Sequence, residues 1–228
     1  MRIAANVAPA HRRVPAKWLV CVVLSALALL ATYWPHALET FRLDRSLFFS
    51  GEIWRLISGH LVHMNTPHLA LNLLALFLLC ELLWQDMAWR QAAGLLLFAA
   101  LVTAGALLAW HPGLAWYAGL SGVLHGLWAG CALQGLSAAT SVSTGAEHSW
   151  QARWPMQRRI CAISFALLCV KLALEFHYGP SQRTAQAIGG TVVAVSHAYG
   201  ALSGILYLSI CRVSASFKRV SFRGFRLK

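Results

Sequence analysis

Six long apolar stretches restrict what this chain can fold into more than any other feature of its sequence. Only 11% of its 228 residues are charged, and a helix that crosses a bilayer needs about 20 mainly apolar residues. The candidate spans cover roughly residues 17–35, 68–85, 89–110, 119–136, 158–178 and 187–211. The sequence therefore predicts an all-α membrane protein built from six transmembrane helices.

The distribution of basic residues predicts the orientation of these spans. If the N-terminus lies in the cytoplasm, most of the 19 Lys and Arg residues fall in cytoplasmic segments. The outer segments then carry Arg42, Arg45, Arg55 and Arg183. Because cytoplasmic loops of membrane proteins are enriched in Lys and Arg, we expect both termini to be cytoplasmic.

The same charges suggest how the chain is divided and what it contacts. We expect a cytoplasmic N-terminal segment (residues 1–16), a six-span domain (residues 17–211) and a basic cytoplasmic tail (residues 212–228). Most of the net charge of +12 falls on the cytoplasmic side, where anionic lipid headgroups attract Lys and Arg. We therefore expect the tail to contact membrane lipids, and we expect no nucleic-acid partner.

Polar side chains cluster where the second, fourth and sixth spans begin. With the N-terminus inside, these three spans enter the bilayer from its outer face. The second span begins with His68 and Asn72, which are four residues apart and share one helix face. The fourth span carries Ser121 and His125, and the sixth carries His197. Polar groups inside a bilayer are costly and usually functional, so the sequence predicts a site near the outer face.

Small residues indicate how the fourth and sixth spans meet. Glycines recur every four residues in each span, at Gly122, Gly126 and Gly130 and at Gly200 and Gly204. Glycines at this spacing let two helix backbones approach closely. Close packing would bring Ser121 within hydrogen-bond reach of His197, as a nucleophile and its general base require.

Donors for a developing oxyanion are also available near Ser121. The Asn72 amide, the His68 ring N–H and the backbone N–H of Ser121 are suitable groups. The seven acidic residues lie in loops or in other spans, so we expect a Ser–His dyad rather than a triad. We expect neither a metal ion nor an organic cofactor.

Four motifs in order are similar to those of the rhomboid intramembrane serine proteases. They are "WR" at Trp54 and Arg55, "HxxxxHxxxN" at His63, His68 and Asn72, "GxSG" at Gly119, Ser121 and Gly122, and "HxxGxxxG" at His197, Gly200 and Gly204. The resemblance implies a six-helix rhomboid bundle, with Ser121 as the nucleophile and His197 as the general base. It also implies that His68 and Asn72 line an oxyanion hole.

Other positions take supporting roles in this resemblance. Arg55 would brace the long first loop, and His63 would help to hold that loop against the second helix. Many rhomboids have an aromatic residue one turn after the serine, where this chain has His125. We interpret His125 as a packing partner of His197, with a second base or a pH sensor as the alternatives.

The form "SGxLHG" at residues 121–126 looks most like the rhombosortase subfamily. That resemblance implies a protein of the bacterial inner membrane whose active site faces the periplasm. The implied substrates carry a C-terminal tail made of a Gly-Gly motif, a transmembrane helix and a basic cluster. Cleavage near the Gly-Gly motif would be followed by hydrolysis or by transfer to a lipid amine.

Lys171 and Glu175 form the remaining polar pair, four residues apart in the fifth span. One interpretation is a self-neutralising pair that faces the bundle interior. The other interpretation is recognition of the substrate tail, since the fifth span lies beside the substrate entry route in rhomboids.

Two functions of other classes remain open at this point. The first is a catalytically inactive rhomboid-like protein that binds transmembrane helices. The second is a metal-dependent membrane enzyme that uses some of the ten histidines as ligands, with His60, His63, His68, His125 and His197 as the candidates.

Overall fold

The fold is mainly helical over the part of the chain that the computed structural model describes, residues 16–85, 87–137 and 148–224. The elements are α1 (Ala16–Thr32), α2 (Ala37–Phe41), β1 (Leu43–Asp44), α3 (Arg45–Phe49), α4 (Arg55–Leu61), α5 (Thr66–Leu82), α6 (Trp89–Trp110), β2 (Trp116–Tyr117), α7 (Ser121–Ser137), α8 (His148–Tyr178), α9 (Gln182–Ile188) and α10 (Ala194–Gly224). The predicted all-α class is therefore confirmed, apart from two strands of two residues each.

Three helices within the described residues are long and apolar enough to cross a membrane. They are α6, the Met156–Tyr178 part of α8 and the Ala194–Ser214 part of α10. Helices α4 and α5 form a fourth such element if they are taken as one span bent by 94°. The chain is thus an integral membrane protein, while the full count of six spans and the orientation of the termini stay predictions.

Helix α7 lies at the centre of the bundle and contacts α5, α6, α8 and α10. Most of its residues are buried, including the whole run 122–127. Against α6, the positions of Gly126 and Gly130 meet the side chains of Ala99 and Leu95. This central helix begins at Ser121, so the predicted site lies at its N-terminal end.

The start of the sixth span is the clearest correction to the sequence prediction. The span was expected over 187–211, but α9 ends before Gly189 and α10 starts only at Ala194. Gly189 takes a left-handed conformation with φ 68°, and its N–H bonds the carbonyls of Ala185 and Gln186, which ends a helix. Past residue 211, α10 continues without a break to Gly224.

Helix α5 begins at a sharp turn that orients its first residues. The Asn65 side chain accepts a hydrogen bond from the His68 backbone N–H at 2.9 Å, which caps the helix. Its amide group also donates to the Ala187 carbonyl at 3.3 Å, which ties this turn to the end of α9. The cap therefore fixes the position of His68 in the first turn of α5.

The long segment between α1 and α4 is held to the turn before α7 by the two short strands. Leu43 pairs with Tyr117 and Asp44 with Trp116 in antiparallel register. Partial burial would raise the pKa of Asp44, but hydrogen bonds from Ser46, Leu47 and Arg42 outweigh it and hold the pKa below its ordinary value. Asp44 is therefore charged at neutral pH and caps α3.

Candidate active site

Ser121 and His197 lie side by side at the N-terminal ends of two neighbouring helices. Ser121 is the first residue of α7, and His197 lies in the first turn of α10. Ser121 Oγ is 3.0 Å from His197 Nε2, which is hydrogen-bonding distance for a nucleophile and its base. The His197 residue is only 5% exposed, so its ring is shielded from bulk solvent.

Backbone contact between α7 and α10 holds this pair together. A Cβ at Gly200 would overlap the Gly122 carbonyl group, and a Cβ at Gly204 would overlap that of Gly126. In the other direction, a Cβ at Gly126 would lie 2.9 Å from the Gly200 carbonyl oxygen. No larger residue fits at these positions without separating the helices. We call this contact the glycine seam.

A turn at Gly119, just before α7, sets the orientation of Ser121. Gly119 has φ +118°, a conformation that residues with side chains rarely adopt, and its N–H donates to the Gly59 carbonyl at 2.9 Å. A Cβ at Gly119 would also lie 2.6 Å from Cε1 of His68. Glycine at position 119 therefore permits both the turn and the close approach of the His68 ring.

Contrary to the prediction of a Ser–His dyad, a carboxylate lies on the other side of His197 from Ser121. Glu175 Oε2 is 2.8 Å from His197 Nδ1, and Glu175 Oε1 is 2.6 Å from Lys171 Nζ. Lys171 Nζ itself lies 3.3 Å from the same His197 Nδ1. The expectation that no acid reaches the site is wrong, because the packing of α8 beside the start of α10 sets this distance and residue spacing does not.

His125 packs on the face of the His197 ring. The two imidazoles are stacked, with centroids 4.2 Å apart and an interplanar angle of 14°. His125 Nδ1 lies 2.7 Å from the Ser121 carbonyl oxygen. A carbonyl only accepts hydrogen bonds, so Nδ1 of the neutral ring carries the proton. His125 thus touches both the Ser121 backbone and the His197 ring.

His68 and Asn72 project from α5 toward the same region. The Asn72 amide donates one hydrogen bond to the His68 carbonyl at 3.0 Å, which leaves its second N–H for another acceptor. Both residues are buried. His68 lines one cavity of about 480 Å³, and Asn72 lines a second cavity of about 530 Å³.

The two cavities share Ser121 and differ in character. The first cavity is lined by backbone-rich segments before α7 and before α10, including 114–118 and 188–193. The second lies between α5, α7 and α8, and its walls are mainly apolar side chains such as Leu79, Trp128 and Leu167. The serine is therefore reached from a partly polar side and from an apolar side that opens between helices.

The predicted supporting residues hold the surrounding loops. Arg55 is 3% exposed, and it donates to Glu52 Oε2 at 2.7 Å and to the carbonyl of Arg42 at 2.8 Å. His63 Nδ1 lies 3.0 Å from the Leu61 carbonyl oxygen, and its ring contacts that of His68 with centroids 4.9 Å apart. These contacts connect the first loop to the start of α5.

The histidines do not assemble into a metal site in the part of the chain described. Over these residues, no group of three or more His, Cys, Asp or Glu side chains is arranged to hold a metal ion. His60 instead faces the Ala100 carbonyl, with Nε2 3.0 Å from its oxygen, and His125 faces the Ser121 carbonyl. Among the residues that the structure describes, these histidines therefore form no common ligand set for a metal ion.

Comparison with known proteins assigns a family to most of the chain. Residues 50–214 match the Rhomboid domain, which is more than half of the 228 residues. The matched range contains Ser121, His197, Glu175, His125, His68 and Asn72. No curated protein sequence matches the chain.

Proposed function

The chain belongs to the rhomboid family, whose members are generally intramembrane serine proteases, and we propose that it is an active intramembrane endopeptidase of this kind. The observation that carries the proposal is the distance of 3.0 Å between Ser121 Oγ and His197 Nε2. An inactive relative that only binds helices would have no need of this pair.

In the proposed reaction, the Ser121 hydroxyl attacks a substrate carbonyl and His197 Nε2 takes its proton. The negative charge that develops on the carbonyl oxygen is stabilised by donors already in position, which avoids reorganisation during the reaction. We assign this role to the backbone N–H of Ser121 and to the side chains of His68 and Asn72. His197 then gives its proton to the leaving amine, and a second nucleophile releases the acyl group from the serine.

The apolar cavity between α5, α7 and α8 is the proposed route for a substrate helix. Its lining includes Leu78, Leu82, Ile163 and Leu167 as well as Ser121, so an apolar segment can reach the nucleophile without crossing a polar surface. A peptide bond inside a regular helix is shielded by its neighbours. The substrate must therefore unwind locally before Ser121 attacks.

We further propose that the protein is a rhombosortase. On this proposal it lies in the bacterial inner membrane with six spans and both termini in the cytoplasm, and its site faces the periplasm. Its substrates are membrane proteins with Gly-Gly, transmembrane and basic sorting tails, and water or a lipid amine resolves the acyl-enzyme. The stacking of His125 on His197, with centroids 4.2 Å apart, supports a role for the histidine that suggested this subfamily.

The first experiment compares the wild type with Ser121→Ala and Ser209→Ala. Ser209 is an exposed serine of α10 whose hydroxyl donates to the Ile205 carbonyl of its own helix, so its variant is the matched control. Each protein is treated with a fluorophosphonate probe and co-expressed with a tagged substrate that ends in a Gly-Gly, transmembrane and basic tail.

We expect the wild type and Ser209→Ala to be labelled and to remove the tail, and Ser121→Ala to do neither. Labelling without removal of the tail would keep the protease and refute the proposed substrate class. Equal cleavage by Ser121→Ala and by the wild type would refute the serine mechanism. Binding of the tail with no labelling would favour the inactive relative.

A further inference from the structure

The proposed reaction does not use Glu175, although this carboxylate makes the closest contact to Nδ1 of the base. The side chain projects from α8 and is 16% exposed, against 7% for the side chain of His197. A carboxylate withdrawn from water in this way is costly unless it is paired. Each carboxylate oxygen of Glu175 has its own partner. Oε2 lies 2.8 Å from His197 Nδ1, and Oε1 lies 2.6 Å from Lys171 Nζ.

We propose that Glu175 is a positioning residue that selects the reactive tautomer of His197, and that it also keeps the Lys171 ammonium from reversing that choice. This inference rests on the proposed function. It replaces both the dyad and the role in tail recognition that the sequence suggested for this pair.

The selection follows from the hydrogen-bonding capacity of each group. A neutral imidazole carries one proton, on Nδ1 or on Nε2, and an ionised carboxylate only accepts hydrogen bonds. With Glu175 at Nδ1, the proton must lie on Nδ1. Nε2 then presents its lone pair to the Ser121 hydroxyl, 3.0 Å away, which is the arrangement a general base needs.

Lys171 favours the opposite tautomer if it is not restrained. Its ammonium only donates hydrogen bonds, and it lies 3.3 Å from His197 Nδ1. A hydrogen bond from Lys171 to Nδ1 would require Nδ1 to be unprotonated and would move the ring proton to Nε2. Nε2 would then donate to Ser121 instead of accepting its proton. Glu175 Oε1 prevents this by binding the ammonium more closely, at 2.6 Å.

The carboxylate also contributes after proton transfer. Once His197 holds two protons, it is a cation on a side chain that is 7% exposed. Opposite charges attract more strongly in such a low-dielectric environment than in water. Glu175 therefore stabilises the imidazolium while the oxyanion forms, and the stacked His125 ring limits how far the imidazolium ring can turn.

The test compares Glu175→Gln with the double variant Glu175→Gln/Lys171→Met, in full-length protein reconstituted with the substrate defined above. Glutamine keeps the shape of the side chain but releases Lys171 toward Nδ1. We expect kcat to fall by about 10²- to 10⁴-fold, by analogy with the loss of the carboxylate in a serine-protease triad, and we expect KM to change little. Glu81→Gln, an exposed glutamate at the end of α5, is the matched control and should match the wild type.

Removal of the Lys171 ammonium, which competes for His197 Nδ1, should restore part of the lost kcat. In the double variant the Gln carbonyl can still accept from Nδ1–H and no ammonium remains, so we expect about tenfold of the lost kcat to return. Glu175→Asp keeps the charge one methylene further away and should have intermediate activity. A purely structural role of Glu175 would not be rescued by removing Lys171.

Three results would overturn the inference while leaving the proposed protease intact. They are wild-type kcat in Glu175→Gln, a raised KM with unchanged kcat, and a double variant as impaired as the single one. If Glu175→Gln does not fold, the double variant is compared directly with the wild type, and a lower kcat at equal KM supports the inference whereas an equal kcat refutes it. Failure of the protease proposal itself would appear separately, as an unlabelled wild-type Ser121.

Discussion

His197 is held by backbone packing toward α7 and by side-chain hydrogen bonds toward α8. Toward α7, the glycine seam brings two backbones together, so that a Cβ at Gly200 has no room. Toward α8, the ring bonds the side chains of Glu175 and Lys171. Over its candidate membrane span, α8 is 11% buried, whereas the α10 span is 39% buried and the α6 span 56%.

Within one site, the contact of α10 with α7 is therefore rigid and its contact with α8 is adjustable. The Ser121–His197 distance is set by main-chain packing, which two helices cannot change without moving as bodies. The Glu175–His197 distance depends on a helix that has few buried residues, among them Cys161 and Leu168. We therefore expect α8 to shift more readily than α7, while Ser121 and His197 stay together.

The largest effect should come from opening the glycine seam. Gly200→Ala places a methyl group on the Gly122 carbonyl, and overpacking of this kind costs about 1–3 kcal/mol or more. We expect a lower Tm in detergent and loss of Ser121 labelling, because separation of the helices lengthens the Ser121–His197 hydrogen bond.

Gly105→Ala is the matched control for this substitution. A Cβ at this helical glycine of α6 has no atom within 4 Å among the described residues. Alanine in a helix is favoured over glycine by up to about 1 kcal/mol, so this variant should keep or raise the Tm and keep labelling. Equal behaviour of the two alanine variants would show that the seam does not fix the site.

A smaller effect is expected from loosening α8 alone. Leu168 is 1% exposed and packs with Ala129 of α7 and Ala201 of α10. Leu168→Ala should cost about 2 kcal/mol, at the low end for core truncations, since helix association in lipid lacks the full hydrophobic driving force. We expect kcat to fall as Glu175 moves away, while labelled Ser121 remains detectable.

Val170→Ala controls for a change of side-chain size on the same helix, since Val170 is 55% exposed. Its kcat and Tm should match those of the wild type. If Leu168→Ala lowers the Tm but leaves kcat unchanged, the position of α8 does not affect the reaction. The difference between the α7–α10 and α8–α10 contacts then has no functional consequence.

The sequence predicted the contact between α7 and α10 better than the contact between α8 and α10. The predicted span 89–110 coincides with α6, because an uninterrupted apolar run has only one way to satisfy its backbone in lipid. The approach of Ser121 to His197 followed from glycines at fixed spacing. The start of α10 was missed because the apolar residues of 187–193 mask the helix-ending turn at Gly189.

Glu175 shows the limit of spacing arguments. Residue intervals predict which side chains share a face of one helix, and so they paired Glu175 with Lys171. They do not predict how α8 is rotated toward α10, which depends on the packing of several helices. A signal was nevertheless present, since an acidic residue inside a span usually marks a functional site with a partner to be found.

The smallest effect should come from a side-chain hydrogen bond between α7 and α8. Trp128 Nε1 donates to Ser164 Oγ at 2.7 Å, and such interhelical bonds in membranes contribute about 0.6 kcal/mol on average. Ser164→Ala should therefore lower the Tm slightly and reduce kcat by less than about threefold, with Ser209→Ala as the control on α10. A loss of kcat as large as that of Leu168→Ala would mean that this hydrogen bond, and not the packing of Leu168, sets the position of α8 and hence the distance from Glu175 to His197.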